Sequence, residues 1–228
     1  MNFLSHFYFE RYHTNDFIVM GVVLPDLIKN AHKEWNLHPQ KEESLFVSDP
    51  DQRDLLTGWK KHLEVDRKFH SCTFFKEQTA ELKQMILPAL NSGPVKPFFL
   101  AHIGLELILD HLLLTKNLVN VPDFYAHLDR ANSPVLDDFL MKAGIPDKAL
   151  FDKFLGNFIS GRYLLSYQKI ENITYALNRI CMRLWQNPFT EEQLTQLTIN
   201  LETYKRSIAH DFLKVFNQIE KELKEEEA

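Results

Sequence analysis

Apolar residues recur at intervals of three and four along most of the chain, the period of a helix with one buried face rather than the alternation of a strand. The clearest run comes late. Leu194, Leu197, Leu201, Tyr204, Ile208, Phe212, Val215 and Ile219 follow Thr190-Glu191-Glu192-Gln193, a capping-box pattern, and predict one final helix over residues 190–219. Near the start, a short helix is predicted over 3–11. A second begins at the N-cap residue Asn15 and runs toward Lys29. Gly21 and Pro25 kink or split it just before Asp26, because proline lacks an amide donor and its ring clashes with the preceding turn. Residues 31–50 are polar and punctuated by His38-Pro39 and Asp49-Pro50, the pattern of a surface loop that could act as a lid.

Helices are next predicted over 51–70 and 73–90, with Ser71 or Thr73 as the cap between them, and Asn91-Ser92-Gly93-Pro94 breaks the chain. Pro97 suits the first turn of a helix over 98–114, which is apolar nearly all round and therefore central. Further helices fall at 122–131, 134–143, 147–166 and 170–185, and residues 220–228 form a solvated acidic tail. No repeat or linker interrupts the pattern, so one all-α helical bundle spanning 1–228 is expected.

Composition sharpens this picture. Only 7 of 228 residues are glycine, too few for many tight strand turns, while 18 phenylalanines supply a bulky core. A net charge of −5 without a long basic run argues against a nucleic-acid partner. Cys72 and Cys181 form no CxxC pattern and are expected as reduced thiols. The first residues lack a secretory-signal pattern, and no apolar run reaches the roughly 20 residues of a membrane span. A cytoplasmic protein with no membrane partner is therefore expected.

Two triplets stand out: His62, Asp66 and His70 on one predicted helix, and His102, Glu106 and Asp110 on the apolar one. Both are spaced i, i+4, i+8. From composition, a histidine followed by an acid and then by a histidine or acid at this spacing is expected about 0.24 times, and it occurs twice. Neighbours four apart share a helix face and can offer two donor atoms to one ion. The outer pair cannot, since eight residues advance about 12 Å and rotate about 80°. Ordinary charged i, i+4 pairs on a solvated face are the competing account, and they fit the first triplet better than the second because Lys60, Lys61, Glu64, Arg67 and Lys68 surround it. On the apolar helix, Glu106 and Asp110 need a positive partner. A mixed imidazole–carboxylate set suits Mn²⁺ first, then Fe²⁺, Zn²⁺ or Mg²⁺, and hydrolysis is the reaction class that follows. His70 or His6 would orient or protonate, and Lys61 or Arg67 would neutralise phosphate charge. His210-Asp211, although a His-Asp dipeptide, stands alone on a polar stretch and is set aside; His111 is expected to contact a neighbour rather than the same ion as Asp110.

Met1-Asn2-Phe3-Leu4-Ser5-His6, Gly21-Val22-Val23-Leu24-Pro25-Asp26-Leu27, the segment 58–66 with its His-x-x-x-Asp, and 105–113 with Asp110-His111 occur in the order found in bacterial acyl carrier protein phosphodiesterases. Over about its first half the chain resembles that family. The resemblance implies a variant of the His-Asp metal phosphohydrolase fold. It also implies a divalent cation, commonly manganese, and removal of 4′-phosphopantetheine from holo acyl carrier protein. By position it marks Asp26, His62, Asp66 and Asp110, with His6 beside them. His70 and Glu106 depart from it, each standing where an aspartate is expected. An acidic carrier-protein partner would be met by basic residues, for which Lys29, Lys60, Lys61, Arg67 and Lys68 are candidates. The alternative is a non-catalytic helical binding protein that keeps the fold; a carboxylate-bridged di-iron site lacks its Glu-x-x-His.

Overall fold

The computed structural model describes residues 1–90 and 93–226, and every regular element among them is helical. In chain order the α-helices are α1 (Phe3–Phe9), α2 (Asp16–Gly21), α3 (Leu24–Ala31), α4 (Pro50–Ser71), α5 (Thr73–Ile86), α6 (Pro97–Thr115), α7 (Val121–Ala131), α8 (Pro134–Lys142), α9 (Lys148–Gly161), α10 (Ile170–Cys181), α11 (Glu191–Ile208) and α12 (Leu213–Glu226). Short 3-10 turns occupy Pro39–Lys41, Glu43–Leu45, Leu87–Leu90 and Tyr163–Gln168. The all-α class expected from the pattern is what the chain adopts.

Side chains set many of the boundaries. Asn15 caps α2 by accepting from the Phe17 and Ile18 amides, and the Thr190–Gln193 capping box closes in both directions at the start of α11. Pro25 marks a split, not a kink, in the second predicted helix. It stands in the first turn of α3, where a missing amide proton costs nothing, and the chain turns between α2 and α3 instead. Between α4 and α5 the cap is Cys72, whose sulfur accepts from the Phe75 amide, rather than Ser71 or Thr73.

The expected final helix is two helices. α11 and α12 part at residues 209–212, where the exposed pair His210-Asp211 sits and Asp211 pairs with Lys214. Ile208, Phe212 and Val215 stay buried through the break, so the apolar stripe alone does not reveal it. The stretch after Ile219 is helical, since α12 continues to Glu226 and buries Leu223, while Lys221, Lys224, Glu225 and Glu226 stay exposed. Asn91, Ser92, Glu227 and Ala228 lie outside the described residues.

The chain divides into two compact units, each built from two stretches of sequence. Unit 1 comprises Met1–Asp66 and Leu118–Leu165; unit 2 comprises Arg67–Asn117 and Ser166–Ala228. In unit 1, α2 packs on α7 and α3 on α9 around Phe7, Phe46, Phe124, Phe139 and Phe158. α2 also meets α4 at a glycine–glycine contact. A Cβ on Gly58 would lie 2.8 Å from the Gly21 Cα and closer still to the Ile18 carbonyl oxygen, so only hydrogen fits. In unit 2, α6 is central and packed by α5, α10 and α11. Among the described residues it alone is long and apolar enough to cross a membrane, by length and composition, and most of it is buried.

Candidate functional site

The Gly21–Gly58 contact lets α4 run close beside the end of α2, and this brings His62 to the Val22 carbonyl. His62 Nδ1 lies 2.8 Å from the Val22 oxygen. A carbonyl only accepts, so Nδ1 carries the proton and the neutral ring presents a lone pair at Nε2. Burial, with His6 alongside, holds the His62 pKa well below the ordinary imidazole value despite the opposing pull of Asp66 and the Val22 carbonyl. The ring is thus neutral near pH 7.

Two carboxylates face that lone pair. Asp26 Oδ1, from the first turn of α3, and Asp66 Oδ2, one turn along α4, each lie 4.0 Å from His62 Nε2, beyond hydrogen-bond range. Asp66 divides its oxygens: Oδ1 takes the Met1 α-ammonium at 2.6 Å and His6 Nε2 at 3.3 Å, while Oδ2 turns toward His62. Burial alone would raise the Asp66 pKa, but the Met1 ammonium and His6 outweigh it and keep the carboxyl ionised far below the usual range. His6 itself is 1% exposed and stacks on His62, ring centroids 3.8 Å apart. His6, His62 and Asp66 each bring one donor atom within 4.8 Å of the other two, and Asp26 Oδ1 stands 4.0 Å from the His62 lone pair, a mixed nitrogen and oxygen set that suits a cation.

Unit 2 brings together a different three. His70, in the last turn of α4, meets His102 and Glu106 of α6, with all donor atoms within 4.8 Å of one another. Asp110, also on α6, is wholly buried and belongs to neither three-residue group. His111 instead donates from Nδ1 to the Tyr167 carbonyl at 2.6 Å, the neighbour contact expected of it.

The basic residues are already matched. Lys60 pairs with Glu43, Lys61 with Glu10, and Arg67 and Lys68 with Glu226, while Lys29 reaches the Asn36 side chain. Sequence reasoning gave no weight to His127, yet it lies 2.5 Å from Asp16, which Arg130 also grips through two nitrogens. The His127-x-x-Arg130 spacing was the available signal, but Asp16 lies 111 residues away.

The chain is thus all-helical and carries two histidine–carboxylate groups that could each hold a metal ion. Residues 1–219 match the family model described as acyl carrier protein phosphodiesterase, and the chain belongs to that family. No curated protein and no solved structure matches it.

Proposed function

We propose that this protein is a divalent-metal-dependent phosphodiesterase that releases 4′-phosphopantetheine from holo acyl carrier protein. Family membership supports the reaction, and the His62 lone pair facing Asp26 and Asp66 supports a metal-dependent reading of it. His62, Asp26 and Asp66 would hold the ion, with manganese first among Mn²⁺, Fe²⁺, Zn²⁺ and Mg²⁺ for this N/O set. When bound, the ion polarises a phosphoryl oxygen and lowers the pKa of water. The chain's own groups orient and hold charge. The Val22 carbonyl fixes the His62 tautomer, the Met1 ammonium and His6 hold Asp66 Oδ1, and burial keeps His62 neutral. In the overall reaction water adds across the phosphodiester, so that phosphorus gains a hydroxyl and the carrier-side oxygen leaves with a proton.

The test has two readouts. Elemental analysis of purified protein reconstituted with manganese should find metal whose content falls by about one equivalent per chain in Asp66→Ala while the helical circular dichroism persists. Intact-mass analysis should show holo carrier protein converted to the apo form by the wild type alone. Metal content undiminished from the wild type in folded Asp66→Ala would overturn the metal assignment. A metal-loaded wild type that leaves holo carrier protein intact would favour a helical binding protein instead.

A further inference from the structure

The unit 2 group poses a problem that hydrogen bonding cannot solve. His70 Nε2 and His102 Nε2 lie 3.2 Å apart, His70 Nε2 and Glu106 Oε1 3.2 Å, and His102 Nε2 and Glu106 Oε1 3.0 Å. The carboxylate only accepts, and each imidazole Nε2 carries one proton or none. Two protons at most therefore serve three contacts. Every assignment leaves either two N–H groups or two lone pairs facing each other along one side of the triangle. A metal ion removes the conflict, because it takes one lone pair from each corner.

The dimensions agree. About an ion roughly 2.1 Å from its ligands, adjacent donor atoms stand about 3.0 Å apart in octahedral geometry and about 3.4 Å in tetrahedral geometry. The three observed sides, 3.0 to 3.2 Å, lie between these values. Phe75 of α5 sets its ring edge-on to both imidazoles, 4.9 Å from each centroid at 83° and 80°, and so fixes the two ring planes. Glu106 is largely buried, whereas His70 and His102 each remain 32% exposed, which leaves an ion held there within reach of solvent.

We propose that His70, His102 and Glu106 form a binding site for a divalent first-row transition ion, with ligands distinct from the Asp26–His62–Asp66 group and with coordination positions left open. Two imidazole nitrogens disfavour Mg²⁺ and Ca²⁺, which take oxygen ligands. Two histidines and one carboxylate form the set that zinc and ferrous iron accept with open positions for water or an oxygen-bearing ligand. The site goes beyond the proposed phosphodiesterase reading and does not depend on it.

Cobalt(II) titration of the full chain tests the site, because Co²⁺ reports its ligands through visible absorption. The experiment starts from Asp66→Asn, which disables the other group, and adds His70→Ala or Glu106→Gln. Asp66→Asn should bind one Co²⁺ per chain with saturable visible bands, and either second substitution should abolish both. Zn²⁺ should raise the melting temperature of Asp66→Asn and leave that of Asp66→Asn/His70→Ala unchanged. His70 is partly exposed, so this variant is expected to retain its helical circular dichroism even if Glu106→Gln does not. Failure of Asp66→Asn to bind Co²⁺, or undiminished binding after His70→Ala, would overturn the proposal.

Discussion

At Asp16 one carboxylate holds two partners. Arg130 is the stronger influence and draws the Asp16 pKa below its usual 3.8, with His127 adding to the effect and burial opposing it. A carboxyl depressed in the folded state stabilises the protein at pH values above its unfolded pKa, and that contribution disappears as pH falls through the lower folded value. Asp16→Asn should therefore cost about 1–2 kcal/mol at neutral pH, the scale of a charged hydrogen bond lost from a partly buried network. In strong acid the two proteins should converge. Urea denaturation near pH 7 and near pH 2.5 measures both values, and an equal penalty at both would rule out the ionic account.

The same scale shows what the sequence could reveal of the site. His62 with Asp66 and His102 with Glu106 are each one helical turn apart, so spacing alone paired them. The Val22 carbonyl that sets the His62 tautomer lies 40 residues away, and the His70–Glu106 contact spans 36. No local period encodes such meetings. The resemblance, rather than periodicity, pointed to Asp26 and to His6 beside the site.

Among the elements, the α2–α4 crossing carries the most for its size. Gly58→Ala would push a methyl into the Gly21 backbone, at the cost of about 1–3 kcal/mol expected for overpacking. It should also move the Val22 carbonyl away from His62. Manganese content should then fall in the fraction that remains folded, whereas a simple packing defect would lower the melting temperature and leave occupancy intact. A milder case is Thr190→Ala, which removes one half of the α11 capping box and should lower stability by about 1 kcal/mol in chemical denaturation. Helix starts were legible where a side chain caps them, as at Asn15 and Thr190. The α11–α12 break was not, because the buried series Ile208, Phe212, Val215 keeps helical spacing across it. Cys72 was missed as a cap because sulfur is a weak acceptor seldom used there.

For the molecule as a whole, the periodic pattern gave the all-α class, but the division of the chain into units depends on contacts between distant stretches. Unit 1 needs α7 to cover α2 and α9 to cover α3, and both covering helices follow residue 117. A fragment of residues 1–117 should accordingly show no cooperative thermal transition by circular dichroism, although it contains the whole Asp26–His62–Asp66 group. A sharp transition in that fragment would mean that the first stretch carries its own core.

The interleaving also sets a timetable for synthesis. Every residue of unit 1 has been translated once Leu165 is made, so this unit can close while the chain is still growing. Unit 2 has no such early closure: α5 and α6 leave the ribosome well before α10 and α11, the helices that cover α6. During that interval the most apolar helix of the chain has α5 beside it but lacks its other two partners, and its exposure to aggregation is set by how quickly residues 166–228 arrive.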